Sequence, residues 1–256
     1  MKGTLRILDS TEAIAAAAAA EFLPAAQDAV RERGSFSVAL AGGATPKSLY
    51  AMLAGDPRYR TQIPWDKTFF FFGDERHVPA DHPDSNFRMA REILFSKVTL
   101  LPGHVFPIQG EYPDADRTAR QYEQTLRDYF HLSAGQLPRF DLILLGLGTD
   151  GHTASLFPGT SALREEKRLV VSNWVEKLGA SRITLTAPVL NNAALVLFLV
   201  QGEEKAFALK AVLDRPRDTE HFPAQLIQPA NGQLLWLVDK TAARLLSAAA
   251  PQAAGE

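Results

Sequence analysis

Short, almost wholly apolar runs alternate along the chain with longer stretches carrying helical signals. Residues 35–41, 68–72, 140–145, 194–200 and 234–238 are apolar on consecutive rather than alternate positions. Runs of that kind predict strands buried on both faces. Helices are predicted over 11–33, 46–53, 85–95, 115–130, 203–213 and 241–249. Ser10 or Thr11 caps the first, alanine favours its interior, and Pro46 occupies the first turn of the second. Shorter strand-like runs fall at 169–172 and 182–186. Strands alternating with helices imply βαβ units and a mainly parallel sheet. The expected fold class is therefore α/β, a three-layer α/β/α arrangement around a Rossmann-like sheet. Residues 97–111 and 214–231 are loops punctuated by Pro and Gly, and neither divides the chain, so 1–256 is read as a single domain.

Four of the apolar runs end in polar turns. Residues 38–41 lead into Gly42-Gly43-Ala44-Thr45-Pro46, and 69–72 into Gly73-Asp74-Glu75-Arg76-His77. Residues 142–145 lead into Gly146-Leu147-Gly148-Thr149-Asp150-Gly151-His152, and 197–200 into Gln201-Gly202-Glu203-Glu204-Lys205. In a parallel sheet these ends share one edge, so the polar clusters should converge on one crevice.

Composition narrows the function classes. A net charge of −2 over 256 residues offers no general attraction to nucleic acid or anionic membrane. No window reaches the roughly 18 strongly apolar residues of a membrane span. The alanine run 15–20 lies among Asp9, Glu12 and Glu21 and reads as helix rather than as the core of a signal peptide. There are no cysteines, which excludes disulfides, thiolate metal sites and a cysteine nucleophile, and fits a reducing cytoplasm.

Each cluster has its own chemistry. Gly42-Gly43-Ala44-Thr45-Pro46 sits between strand and helix, where glycines admit a ligand to backbone N–H groups and a helix N-terminus favours an anion. It serves equally as a tight turn, and it is not a P-loop, because the Lys-Ser/Thr pair is missing. Gly146 to Gly151 matches G-x-G-x-x-G, but Pro158-Gly159 cuts the following helix short and the next strand ends without an acid. A dinucleotide site is therefore rejected. Asp150 and His152 lie two apart in a glycine-rich turn, where the carboxylate can orient the imidazole as a general base; a helix cap from Asp150 is the plainer alternative. Arg76, Arg182 and Lys205 are surface cations unless they reach the crevice, where they would neutralise a dianion. His77, His82 and His104 fit no metal-ligand spacing.

Together these segments resemble the 6-phosphogluconolactonase family, which sits with glucosamine-6-phosphate deaminases in a sugar-phosphate isomerase-like group. The carrying residues are 40–46, 72–76, Ser85-Asn86-Phe87-Arg88-Met89-Ala90, Gly146 through Pro158, Arg182-Ile183-Thr184-Leu185-Thr186 and 202–206, in the family's order and spanning most of the chain. The resemblance implies hydrolysis of 6-phospho-D-glucono-1,5-lactone to 6-phosphogluconate, in the oxidative pentose phosphate pathway, without cofactor or metal. It places the base at His152, supported by Asp150. It places phosphate contacts at Gly42, Gly43, Ala44 and Thr45, with cations at Arg182, Lys205 and Arg76. Turn N–H groups would meet the oxyanion. The expected partner is the small lactone alone, with no nucleic acid or membrane, acted on by a cytoplasmic monomer or weak dimer. Two other readings are a deaminase-like aldose–ketose isomerase and a non-catalytic sugar-phosphate sensor. The deaminase motif resembles Asp-Gly-His-Ile-Ala-Phe-Asn-Glu, and its glutamate falls here on Phe157. A sensor would need a separate binding module, which the chain lacks. The family's Lys-Pro-Pro-type segment is replaced by Glu176-Lys177-Leu178-Gly179-Ala180-Ser181, so no substrate contact is carried over there.

Overall fold

The computed structural model describes residues 3–247. In chain order the elements are β1 (Thr4–Leu8), α1 (Thr11–Arg33), β2 (Phe36–Leu40), α2 (Ala44–Gly55), α3 (Pro57–Arg60), β3 (Thr68–Phe72), β4 (Asp74–Arg76), α4 (Asn86–Ile93), α5 (Ala115–Tyr129), β5 (Leu142–Leu145), β6 (Val170–Val175), β7 (Ala180–Leu185), α6 (Ala187–Asn191), β8 (Leu195–Val200), α7 (Ala206–Asp214), β9 (Gln233–Asp239) and α8 (Lys240–Ala243). A six-stranded sheet in the order β1-β9-β8-β5-β2-β3 is parallel throughout. Its central strands β2, β5 and β8 are buried almost completely, as their unbroken apolar sequences require.

Four features differ from the sequence expectations. A second sheet, β4-β7-β6, is antiparallel, so the segments near 170 and 183 do not join the parallel sheet. The segment Asp74-Glu75-Arg76, expected as a loop, is the strand β4, paired residue for residue with β7. An unforeseen β1 forms the edge beside β9. The last helix stops at Ala243 rather than running to 249, and residues 248–249 lie outside the described part.

Strand order fixes where a crevice opens. From β2 the chain adds β3 on one side; β5 then pairs on the other side, and β8 and β9 extend that direction. The neighbours β2 and β5 thus form the switch point, where the connections diverge and leave a gap beyond the strand ends. Two buried tyrosines tie the backbone off there. The Tyr50 hydroxyl accepts from Ala41 N at 3.0 Å and donates to Ala41 O at 2.8 Å. Tyr122 does the same for Phe72, at 2.8 and 3.1 Å. Each hydroxyl satisfies a backbone donor and acceptor just before a functional turn. Burial drives both phenols far above their ordinary pKa, so they stay protonated and able to donate.

Among the described residues no helix is long and apolar enough to cross a membrane. Replacing Tyr50 with Phe leaves both Ala41 groups unpaired in the core. The expected cost is about 1–3 kcal/mol, read by chemical denaturation against Tyr122→Phe as a matched comparison.

Candidate active site

The turns after β2 and β5 face each other across a cavity of about 370 Å³. Of the residues expected there, Gly42, Gly43, Arg76, His152, Arg182 and Lys205 line it. Asp150 lines the adjoining cavity and touches His152. Ala44 and Thr45 are not among the lining residues; they are the first residues of α2, Thr45 is buried, and what they offer is the N–H groups of the helix start. The helix begins earlier than expected because Gly43, at φ 102°, takes a conformation that other residues avoid and serves as N-cap. No side chain caps this helix. The first N–H groups of a helix have no intrahelical acceptor, so this terminus presents donors and a positive dipole end beside the cavity.

The turn after β5 is tightly built. His152 Nδ1 lies 2.5 Å from Asp150 Oδ1, and the same oxygen accepts from the His152 backbone N–H at 3.2 Å. A carboxylate only accepts, so Nδ1 carries the proton and Nε2 holds the free lone pair. Gly148 is required by close approach: a Cβ there would overlap the His152 ring and crowd Asp150. Gly148 N donates to His152 O at 2.8 Å and Gly151 N to Gly148 O at 3.0 Å. Those two N–H groups are consumed in the turn, so the expected oxyanion donors do not come from them. The helix after Thr153 is absent; a turn through Ala154, at φ 46°, takes its place.

Sequence reasoning missed several groups of the site. Phe157 stacks on the imidazole with centroids 4.0 Å apart and planes 26° apart. Lys177, on the turn between β6 and β7, pairs with Asp150 Oδ2 and lies 4.9 Å from the Phe157 centroid. Asn86 Nδ2 donates to Asp74 O at 3.0 Å, and the Asn86 side chain fills the space that a Cβ on Gly42 would need. The Asp74 carboxylate accepts from Ser155 Oγ at 2.6 Å, joining the segment after His152 to β4. Asn86 and Asp74 lay inside segments that the sequence had singled out, so proximity to those motifs was their available signal. His77, His82 and His104 scatter: one bonds Tyr112 O, one Asp84 N, and one stacks on Phe69.

The second sheet supplies positive charge. Arg76 on β4 and Arg182 on β7 are direct cross-strand partners. Like charges placed so oppose folding. Arg76 bonds Asp84 O and Arg182 bonds Ser181 O at 3.2 Å, and among the described residues neither forms an ion pair with a carboxylate. Burial, and next Arg76, lower the pKa of Arg182. An anion between the two guanidinium groups would relieve both terms.

His152 is held neutral. Burial lowers its pKa to about 4; Lys205, Arg182 and Arg76 add to the depression, and Asp74 opposes it. Asp150 opposes it as well, but Lys177 holds the other carboxylate oxygen and weakens that pull. A depressed imidazole binds protons less in the folded than in the unfolded chain. The stability it allows at neutral pH is therefore lost as pH falls through 6.5 toward 4. NMR titration of the unliganded protein should give a His152 midpoint well below 6.5, near 4. A midpoint at or above the ordinary histidine value would contradict the burial argument.

A helix-flanked, mainly parallel sheet with a cationic crevice at its switch point has the architecture of the sugar-phosphate isomerase-like proteins. Residues 9–236 match the family described as glucosamine-6-phosphate isomerases/6-phosphogluconolactonase, and the chain belongs to it. It is 45% identical over 214 residues to a 6-phosphogluconolactonase of Synechocystis sp., covering 84% of this chain and 86% of that one. It is 39% identical over 247 residues to the 6-phosphogluconolactonase of Nostoc sp., covering 96% and 100%. The solved 6-phosphogluconolactonase of Trypanosoma brucei superposes with a TM-score of 0.84 at 31% identity, over 96% of this chain and 99% of that one.

Proposed function

We propose that the protein hydrolyses 6-phospho-D-glucono-1,5-lactone to 6-phosphogluconate, with His152 as general base. The observation that carries this reading is one cavity shared by a neutral, carboxylate-held imidazole and four cations, of which Lys177 pairs with Asp150 while Arg76, Arg182 and Lys205 have no carboxylate ion-pair partner among the described residues. Relatives named 6-phosphogluconolactonase over nearly the whole chain support it. The phosphate sits against Arg182, Arg76 and Lys205, near the open start of α2, which places the lactone carbonyl toward His152. Nε2 takes a proton from water as its oxygen attacks C1. The tetrahedral intermediate collapses, the C1–ring oxygen bond breaks, and the imidazolium returns its proton to the departing ring oxygen. A lactone is an activated ester, so no protein nucleophile is required. Asp150 keeps Nδ1 protonated and the ring oriented. Gly148 and Gly151 have spent their N–H groups, so the oxyanion takes its donors from elsewhere in the cavity lining.

The protein is proposed to act as a monomer or weak dimer on a free small molecule. The compartment we propose for it is the cytoplasm.

Fresh lactone should disappear faster than its spontaneous hydrolysis, and glucosamine-6-phosphate should release no ammonia. Failure of the first result removes the lactonase reading; ammonia release would favour the deaminase. His152→Ala should lower kcat by about 10²–10⁴-fold with KM little changed. Arg182→Ala should act mainly on KM, raising it roughly 10–100-fold through loss of a charge-assisted phosphate contact. Steady-state kinetics over a range of lactone concentrations separates the two effects.

A further inference from the structure

We propose that Phe157 is a positioning residue for His152: its ring fixes the imidazole plane, aims Nε2 into the cavity and favours the imidazolium formed during catalysis. The proposal rests on His152 acting as the base. Asp150 holds the imidazole at one atom, Nδ1, at 2.5 Å. A single hydrogen bond leaves the ring free to swing about that contact. The stacked Phe157 ring, 4.0 Å away and inclined by 26°, removes the freedom. Phe157 is itself buried, with 6% exposure, so it is not a loose side chain lying on the site.

The surrounding backbone is pinned to hold that ring in place. Leu156 N donates to Thr153 O at 2.9 Å, closing the turn that runs through the left-handed Ala154. Thr160 Oγ1 donates to Phe157 O at 2.7 Å. Asn173, buried on β6, donates to that hydroxyl at 3.1 Å and to Ser155 O at 2.9 Å. A residue strained into positive φ and a buried asparagine thus bring Phe157 back onto a ring five positions earlier.

Electrostatics gives the aromatic ring a second effect. A cation near a ring face is attracted by the ring quadrupole, and the neutral imidazole is not. Lys177 already lies 4.9 Å from the same ring while pairing with Asp150, so His152, Asp150, Lys177 and Phe157 close a circuit of four contacts. The other charges acting on the imidazole are Asp74 and Arg76 from β4, Arg182 from β7 and Lys205 at the start of α7. None of these changes when Phe157 is replaced by an apolar residue of similar size, so the contribution of the ring can be isolated.

The test combines NMR and kinetics. In the wild type the His152 ring protons, identified by their loss in His152→Gln, should be displaced upfield by the Phe157 ring current. In Phe157→Leu the displacement should vanish and kcat should fall by about 10-fold or more, as expected of a misaimed base. KM should stay within about twofold, because the phosphate contacts are untouched. Loss of the ring's attraction for the imidazolium should move the acid limb of kcat/KM and the NMR midpoint to lower pH, opposite in sign to the upward shift that relief of burial alone would give. Phe157→Tyr should restore all of these. A folded Phe157→Leu variant with wild-type kcat and an unmoved midpoint overturns the proposal, and so does a wild type without the ring-current displacement. If Phe157→Leu fails to fold, the wild-type spectrum and Phe157→Tyr decide it. Failure of the wild type to hydrolyse the lactone instead sinks the role of His152 as base, an outcome read separately from the ring current.

Discussion

Everything in the molecule follows from one constraint: six strands of the central sheet run in the same direction. Strands with both faces covered cannot carry polar chemistry along their length without burying unpaired groups. Chemistry is therefore confined to the strand ends, and parallel order puts equivalent ends on one edge. The switch between β2 and β5 opens a gap at that edge, and it brings residues some 100 positions apart in sequence into one cavity. Tyr50 and Tyr122 show what this arrangement demands. Where β2 and β3 leave the sheet, each backbone still needs partners, and a buried phenol supplies them. The glycine turns can then leave their strands at fixed angles.

The antiparallel sheet is what converts this crevice into an electrostatic site. It sets Arg76 opposite Arg182, a pairing that weakens the sheet it belongs to. The same positive field helps to keep His152 neutral. A crevice that gathers cations is thus also one in which an imidazole remains a free base at neutral pH. The overall charge of −2 conceals this, because Arg76, Arg182 and Lys205 gather at one cavity and, among the described residues, form no ion pair with a carboxylate.

How far the sequence reveals this depends on the kind of interaction. Solidly apolar strands report their own burial, so β2, β3, β5, β8 and β9 and the convergence of their tips are legible. The edge strand β1, Thr-Leu-Arg-Ile-Leu, is partly exposed and has no such signature. Strand β4 is Asp-Glu-Arg, which has no β propensity at all; it is a strand only because its backbone pairs with β7. Ala44 and Thr45 look like turn residues because Pro46 marks a first helical turn, yet Gly43 as N-cap starts the helix before them. His152 and Asp150 are readable from composition and place. The contacts of Phe157 and Lys177 are not: the first follows the left-handed Ala154, a conformation for which alanine gives no warning, and the second comes from the distant turn between β6 and β7.

Position 157 shows how one fold can serve two chemistries. A glutamate here, as the deaminase motif has, would add a negative charge beside both the imidazole and Lys177. It would raise the pKa of His152 and hold it protonated further into the neutral range, which suits a histidine that assists the opening of a sugar ring. Hydrolysis of a lactone begins with the opposite demand: the imidazole must enter the cycle as a free base and become charged only afterwards. An aromatic ring meets both parts of that demand. It adds no charge in the resting state, so burial and the surrounding cations keep the base neutral, and it turns attractive once the proton arrives.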